Sequence, residues 1–210
     1  MTKLLILEND GFAASFIKAN LSHKEFTSIE IADSASTAMQ LFREFKPLVC
    51  LLDIEIGAGP NGIDVARAMR RLNPVVGIVF LTSVQDPRLI DLKGLDLPTG
   101  SYYMAKNSIS EPGEITSALL DSINAAKSDS ACEIRTSVPA LNLSTGQYEL
   151  IRFIAEGLSN KEIASRKVVT IKSAENSIAR LAKKLQIQDL TANSQRVLIA
   201  KKYFELIGKV

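Results

Sequence analysis

Several short apolar runs in the first half of the chain end in polar side chains that could do chemistry together. The polar residues that follow these runs are Glu8, Asn9, Asp10, Asp53, Thr82 and Lys106. Carboxylates gathered at one point repel each other unless a cation joins them, and Mg²⁺ prefers oxygen ligands. An aspartate beside Mg²⁺, with a lysine and a hydroxyl nearby, can attack a phosphoryl donor because the cations neutralise the phosphoryl oxygens. These residue types indicate an aspartyl phosphate site, although Asp53 taken alone could equally be an aspartate that only caps the next loop.

A parallel β-sheet is the element that would bring these residues together. The run 48–53 is apolar up to its final aspartate and is too short for a typical helix, which favours a strand buried on both faces. The predicted strands are 4–7, 27–32, 48–53, 75–81 and 101–105, and the predicted helices are near 12–21, 34–45, 63–72, 86–92 and 112–126. Because strands alternate with helices, we predict an α/β domain with a five-stranded, doubly wound parallel sheet of the flavodoxin-like kind. The carboxyl ends of its strands would lie along one edge.

The composition limits the class of protein. A chain of 210 residues suits two domains, and a hydrophobic fraction of 46% with 23% charged residues argues against long disordered regions. No apolar run approaches the ~20 residues of a membrane span, and the first residues lack a secretory signal pattern. The two cysteines, Cys50 and Cys132, do not have a metal-binding spacing. We therefore expect a cytoplasmic protein with no membrane partner.

The charge is divided unevenly along the chain. Residues 141–210 contain 12 Lys/Arg and 6 Asp/Glu, whereas residues 1–140 contain 13 and 17. A basic last part joined to an acidic first part is typical of a protein in which only the last part binds nucleic acid. Residues 128–140 are polar and have no helical or strand period, and we predict that they form a linker between domains 1–127 and 141–210.

The last part of the chain has four helical patterns. Ser144 is the predicted N-cap of the first helix, and Thr170 is that of the third. Ser159 and Glu162 have the spacing of a capping box at the start of the second. The fourth helix is predicted from Thr191 to about residue 207. Four short helices within a basic segment predict a compact all-α domain after the α/β domain.

The order, spacing and strand-end positions of the polar residues resemble the receiver domain of bacterial two-component response regulators, over residues 1–127. The resemblance implies that Asp53 is the phosphoacceptor, Thr82 the hydroxyl that follows the phosphoryl group, and Lys106 its ion partner. Tyr103 would be the aromatic switch residue. The implied ligands of Mg²⁺ are Glu8, Asn9, Asp53 and the main-chain carbonyl of Glu55.

The sequence departs from the receiver pattern at three places. Asn9 stands where the family usually has aspartate, and the lost charge predicts weaker binding of Mg²⁺. The loop 57–62 is one residue longer than usual, and Asn107 replaces the usual proline after the lysine. Because the segment between Thr82 and Lys106 also has weak helix signals, we expect an output surface of altered shape.

The residues AEGLSNKEIA at 155–164, together with the predicted helix at 170–185, resemble the helix-turn-helix domain of the LuxR/NarL type. That family lays its third helix in the major groove, and its fourth helix often serves a dimer interface. The residues implied to face DNA are Ser173, Ala174, Asn176, Ser177 and Arg180. The implied phosphate contacts are Lys161, Lys172, Lys183 and Lys184.

The helix that would read DNA also departs from its family. Glu175 stands where the family commonly has lysine, and phosphates repel a carboxylate unless it accepts from a cytosine amino group. Ser177 replaces a usual histidine. Asn176 could read an adenine edge, and Arg180 a guanine or a phosphate. We therefore expect an operator that differs from common family operators, or weaker binding by each monomer.

Taken together, the two resemblances predict a transcription factor and not an enzyme. A sensor histidine kinase would phosphorylate Asp53, and the active form would be a homodimer bound to specific DNA. One alternative is the same architecture acting without phosphorylation, motivated by Asn9 and the longer loop. A phosphatase with an aspartate nucleophile is disfavoured because Glu55, and not an aspartate, stands two residues after Asp53.

Overall fold

The chain divides into two compact units that are not separated by a single cut. The computed structural model describes residues 2–21, 25–89, 97–128, 131–135, 143–187 and 192–208. The first unit comprises Met1–Ser83 and Asp96–Ser137, and the second comprises Val84–Leu95 and Val138–Val210. The segment that follows residue 83 therefore belongs to the second unit, although it lies within the predicted receiver domain.

A parallel β-sheet forms the centre of the first unit. Its strands are β1 (Thr2–Leu7), β2 (Phe26–Ala32), β3 (Val49–Leu52), β4 (Gly77–Thr82), β5 (Tyr102–Ala105) and β6 (Glu133–Arg135). They pair in the order β2-β1-β3-β4-β5-β6, and each pairing is parallel. β3 and β4 consist entirely of buried residues, as expected for strands covered on both faces. The predicted doubly wound parallel sheet is confirmed.

The predicted number of strands and the predicted linker need correction. The sheet has a sixth strand, β6, which pairs with β5 and places Ile134 opposite Tyr103. β6 lies inside residues 128–140, which were predicted to be a linker. A three-residue strand is too short to show an alternating pattern that would predict it. Residues 129, 130 and 136–140 of the predicted linker lie outside the described residues.

Helices flank the sheet of the first unit. They are α1 (Gly11–Asn20), α2 (Ala35–Phe45), α3 (Gly62–Leu72) and α4 (Pro112–Ala125). Side-chain caps fix where they begin. Asp10 accepts hydrogen bonds from the first main-chain N–H groups of α1, and Asn61 forms a capping box with Asp64 at the start of α3. Apolar side chains of α1 and α4 then pack with those of the sheet in one hydrophobic cluster.

Four helices form most of the second unit, as predicted. They are α5 (Thr145–Ala155), α6 (Asn160–Lys167), α7 (Ile171–Lys184) and α8 (Ala192–Leu206). The predicted capping box is present, because Ser159 N donates to Glu162 Oε2 at 2.8 Å and Glu162 N to Ser159 Oγ at 3.3 Å. Thr170 Oγ1 accepts from Ser173 N at 3.1 Å and caps α7. Thr191, the predicted start of the last helix, lies outside the described residues.

The hydrophobic core of the second unit includes residues from the chain that follows β4. Its buried members from the helices include Tyr148, Ile151, Ile163, Ile178, Leu181 and Ile199. Val84 and Leu89 are buried in the same cluster. The described part of the predicted helix at 86–92 contains only a 3₁₀ turn, Pro87–Leu89, so that part of the prediction was wrong. Residues 90–92 lie outside the described residues.

Candidate functional sites

The carboxyl edge of the sheet brings three of the predicted site residues into contact. Lys106 follows β5, and its Nζ lies 2.6 Å from Glu8 Oε2 and 2.8 Å from Asp53 Oδ2. Glu8 follows β1 and Asp53 follows β3, and these two strands are neighbours in the sheet. The parallel topology therefore places the two carboxylates side by side, and Lys106 joins them.

Burial makes this ammonium group necessary. Glu8 is 3% exposed and Asp53 is 7% exposed. Two buried carboxylates without a cation would repel each other and lose their hydration. Burial by itself would lower the pKa of Lys106, but hydrogen bonds from its ammonium group to Asp53 and Glu8 outweigh burial and raise that pKa. Lys106 thus stays charged.

Main-chain contacts hold Asp53 in place. Its Oδ1 accepts a hydrogen bond from Glu55 N at 3.1 Å, and its own N donates to Leu7 O at 2.8 Å. Gly62, the first residue of α3, packs directly against it, because a Cβ there would lie 2.0 Å from the Asp53 carbonyl oxygen. Gly62 was not among the predicted site residues. The available signal was a glycine between a polar loop and a predicted helix.

Thr82 and Tyr103 lie inside the first unit, on β4 and β5. Thr82 is the last residue of β4, and neither residue has measurable exposure. The strand register pairs Thr82 with Ala105, the residue before Lys106. The structure therefore places the Thr82 hydroxyl group at the same edge of the sheet as Lys106.

Only two of the predicted Mg²⁺ ligands, Glu8 and Asp53, are carboxylates that the structure brings together. The Asp10 carboxylate is engaged as the N-cap of α1, where it accepts from Phe12 N at 2.8 Å and Ala13 N at 3.1 Å. Among the residues that the structure describes, no three His, Cys, Asp or Glu side chains are grouped as a metal site. Glu8 and Asp53 nevertheless supply oxygen donors of the kind that Mg²⁺ prefers, and the exposed Asn9 amide and the Glu55 carbonyl are of the same kind. This donor set fits Mg²⁺ with less charge than a set of three acids would have.

Helix α7 presents polar and basic side chains to the solvent. The predicted DNA contacts that are exposed are Lys161, Lys172, Ser173, Asn176, Arg180, Lys183 and Lys184. Lys172 Nζ lies 3.5 Å from Glu175 Oε2, so the unusual carboxylate is partly neutralised within the helix. Ser177 is half-buried, and its Oγ donates to the Ser173 carbonyl at 2.8 Å.

Ala174 does not belong to the exposed face of α7. It is 2% exposed and packs in the core of the second unit, in the same cluster as Ile178 and Leu181. These positions have the spacing of the buried stripe of an amphipathic helix. The prediction that Ala174 contacts DNA was wrong, because a residue that fills the core of its own domain has no surface left for a ligand.

Comparisons with known proteins find response regulators. Residues 4–97 match the response regulator receiver domain family. The response regulator protein VraR of Staphylococcus saprophyticus is 25% identical over 196 residues, which cover 90% of this chain and 92% of VraR. The transcriptional regulatory protein LnrK of Bacillus subtilis is 23% identical over 208 residues, which cover 91% of this chain and 94% of LnrK.

Solved structures have a similar fold, in one case over nearly the whole chain. The two-component response regulator RcsB, in its complex with DNA, matches with a TM-score of 0.56 at 17% identity and covers 98% of both chains. A LuxR-family two-component response regulator from Aurantimonas sp. SI85-9A1 matches with a TM-score of 0.52 at 19% identity. This second match covers 65% of this chain and 91% of the other.

Because residues 4–97 match the receiver domain family and the named relatives include response regulators, the predicted resemblance to response regulators is confirmed. The named relatives are regulatory proteins. None of the helices in the described residues is both long and apolar enough to cross a lipid bilayer.

Proposed function

We propose that the chain is a transcription factor that a sensor histidine kinase phosphorylates on Asp53 and that then binds specific DNA as a homodimer. The observation that carries the proposal is the contact of Lys106 Nζ with both Glu8 and Asp53 at the carboxyl edge of a receiver sheet. The setting in which it acts is the cytoplasm, where a kinase of this kind and DNA are both present.

Asp53 is the nucleophile in this proposal. One of its carboxylate oxygens forms a bond to phosphorus while the bond from phosphorus to the phosphohistidine nitrogen of the kinase breaks. Lys106 offsets the charge of the phosphoryl oxygens. Mg²⁺, held by Glu8, Asn9, Asp53 and the Glu55 carbonyl, would supply further neutralisation of those oxygens. Glu55 N donates to Asp53 Oδ1 and thereby fixes the rotation of the carboxylate.

Thr82 and Tyr103 carry the response to the phosphoryl group. The added charge attracts the Thr82 hydroxyl group, which lies at the same edge of the sheet as Lys106. Movement of Thr82 changes the space beside β5, and Tyr103 follows because interiors are close-packed. The result is a changed surface that favours a homodimer.

The second unit reads DNA through α7. Ser173, Asn176 and Arg180 are exposed on this helix and contact base edges, while Lys161, Lys172, Lys183 and Lys184 contact phosphates. The half-buried Ser177 lies at the margin of this surface. The likeness to RcsB, whose structure was solved with DNA, supports this assignment. Two copies bind far better than one because the second contact is effectively intramolecular.

Intact mass tests the phosphoacceptor. Wild type, Asp53→Ala and Asp33→Ala are incubated with acetyl phosphate, with and without Mg²⁺. Asp33 is the matched control because it is an exposed aspartate that follows another strand of the same sheet, β2. We expect wild type and Asp33→Ala to gain the mass of one phosphoryl group when Mg²⁺ is present, and Asp53→Ala to gain none. A gain in Asp53→Ala equal to that of wild type would show that another residue is labelled.

DNA binding is tested with duplexes selected from a random library by the full chain. Arg180→Ala should weaken binding to the selected duplex by at least about tenfold. Lys201→Ala is the control, because it removes one exposed positive charge outside α7. It should change binding much less. Equal losses in the two variants would contradict α7 as the reading helix.

A second candidate function is the same DNA-binding regulator acting without phosphorylation. It is favoured by the exposed amide of Asn9 at a position where the family usually has a carboxylate. The next residue, Asp10, could have supplied the missing carboxylate, but its side chain is engaged as the N-cap of α1. This candidate predicts selected-duplex binding of equal strength with and without acetyl phosphate and Mg²⁺. It also predicts no difference between wild type and Asp53→Ala.

A further inference from the structure

The residues that directly follow β4 are built into the second unit. This 84–89 segment contributes two core residues, Val84 at 2% exposed and Leu89 at 4% exposed. Its main chain is also tied to α8, because Gln85 N donates to Leu206 O at 2.8 Å. Burial of aliphatic side chains is a main source of stability, so the segment is a substantial part of this core.

A polar cluster fixes the middle of the 84–89 segment to α5. Tyr148 Oη lies 2.5 Å from Asp86 Oδ2. Arg88 Nη2 donates to Asp86 Oδ2 at 2.6 Å, and Arg88 Nε donates to Asp86 Oδ1 at 2.9 Å. The Arg88 guanidinium also lies over the Tyr148 ring, 4.5 Å from its centroid. Arg88 and Tyr148 thus both bind the Asp86 carboxylate, and Arg88 also stacks on the Tyr148 ring. These contacts restrict the rotamers of all three side chains.

Electrostatics agrees with this geometry. Burial by itself would raise the pKa of Asp86, but hydrogen bonds from Arg88 and Tyr148 outweigh burial and lower that pKa. Burial and the hydrogen bond to Asp86 both raise the pKa of Tyr148. The cluster is therefore stable as a charged aspartate, a neutral tyrosine and a charged arginine.

The segment begins very close to the switch residue of the first unit. Thr82 ends β4, and Ser83 alone stands between it and Val84. Adjacent Cα atoms are fixed at about 3.8 Å apart, so a displacement of the backbone at Thr82 reaches Val84 across a single intervening residue.

We propose that the 84–89 segment transmits the state of Asp53 to the DNA-binding unit. The segment is seated in the core of the second unit while Asp53 is unmodified, and it is withdrawn when Thr82 moves toward the phosphoryl group. The inference rests on the proposed function. Because coupling is reciprocal, a change that weakens the contacts of the 84–89 segment with the second unit must also favour phosphorylation of Asp53.

Hydrogen exchange of the full chain, measured by mass spectrometry, tests the packing of the 84–89 segment in the second unit. The phosphoryl group is mimicked by beryllofluoride with Mg²⁺, and the peptides of interest cover the 84–89 segment, α5 and the end of α8. The test variant is Tyr148→Phe, which removes only the hydroxyl group that binds Asp86. The control is Glu149→Gln in the same helix. It also alters one polar contact of α5, but that contact is with Lys167, at an Nζ–Oε2 distance of 2.5 Å, and not with the 84–89 segment.

In the absence of beryllofluoride, the 84–89 segment should exchange at least about fivefold faster in Tyr148→Phe than in wild type. Glu149→Gln should exchange like wild type there. Beryllofluoride should accelerate exchange of the segment in wild type. In the reciprocal experiment, acetyl phosphate should label a larger fraction of Tyr148→Phe than of wild type or Glu149→Gln.

The outcomes separate this inference from the proposed function. Identical exchange of the 84–89 segment in Tyr148→Phe and Glu149→Gln would contradict the role of Tyr148 in holding the segment in the second unit. A normal mass gain on Asp53 with unchanged exchange under beryllofluoride overturns the transmission and leaves the proposed function standing. Absence of any mass gain on Asp53 contradicts the proposed phosphorylation, and with it the inference.

Discussion

Two clusters of charged side chains in this chain are built in opposite ways. The first joins Lys106 to Glu8 and Asp53 at the edge of a parallel sheet. The second joins Asp86 to Arg88, two residues away, and to Tyr148, far along the chain. In the first cluster a repeated topology delivers each residue to the same edge. In the second, one irregular segment is held by a specific packing arrangement.

A sequence predicts the first kind of site more readily than the second. Strand ends of a parallel sheet meet at one edge whatever the surrounding loops are. The irregular 84–89 segment obeys no such rule, and its position depends on the shape of the core that receives it. The first cluster therefore follows from the fold, whereas the second adds a constraint that the fold does not require.

The largest effect is expected at the support of the first cluster. Gly62→Ala places a Cβ against the Asp53 carbonyl oxygen, at 2.0 Å before any relaxation. The free energy of unfolding of the first unit should fall by about 3 kcal/mol, because backbone must move. Gly11→Ala is the matched control, since Gly11 also begins a helix but has no neighbour within 4 Å of the added Cβ. Urea unfolding followed by hydrogen exchange of the sheet peptides measures both, and similar stabilities for the two variants would contradict the close packing at Gly62.

The next effect is expected from the cation of the first cluster. Lys106→Met leaves Glu8 and Asp53 buried together without a positive charge, and it should cost about 2 kcal/mol because the lysine retains some contact with water. Mg²⁺ should restore part of the loss, since a divalent cation can take over the neutralisation. Lys127→Met is the exposed control and should change little. A loss that Mg²⁺ leaves untouched would argue against a shared metal site.

The second cluster should respond less strongly to loss of one hydroxyl group. Tyr148→Phe keeps the packed ring and removes one hydrogen bond to a carboxylate, which should lower the free energy of unfolding of the second unit by about 1.5 kcal/mol. The stability of the first unit should not change. A loss shared equally by the sheet peptides would contradict the assignment of this cluster to the second unit.

The smallest effect is a dependence on pH. Because the pKa of Asp86 lies below its usual 3.8, the stability it contributes is present above that pH and is lost as the pH falls through the lower folded value. The difference in unfolding free energy between wild type and Asp86→Asn should therefore be largest near neutral pH and shrink in acid. A difference that stays constant down to the lowest pH at which the chain remains folded would rule out the charged aspartate.

The sequence was most informative where a physical period or a topological rule applied. The apolar runs of β3 and β4, the capping box at Ser159 and the helical stripe of α7 all have such signals. β6 escaped notice because a strand of three residues has no readable period. For Ala174 two signals conflict. Its position within the family motif predicts a DNA contact, whereas its place on the apolar stripe of α7 predicts burial, and the structure shows burial. The position of the 84–89 segment in the core of the second unit could not be predicted, since it depends on tertiary packing between distant parts of the chain.

Equilibrium binding to a selected DNA duplex, followed by fluorescence anisotropy, tests the central claim that the state of Asp53 controls DNA binding. Wild type and Asp53→Ala are each titrated with and without acetyl phosphate and Mg²⁺ at one fixed salt concentration, because affinity for DNA depends steeply on salt. We predict that phosphorylation tightens binding of wild type by at least about tenfold through dimerisation and leaves Asp53→Ala unchanged. Equal affinity of fully phosphorylated and unmodified wild type would contradict the account.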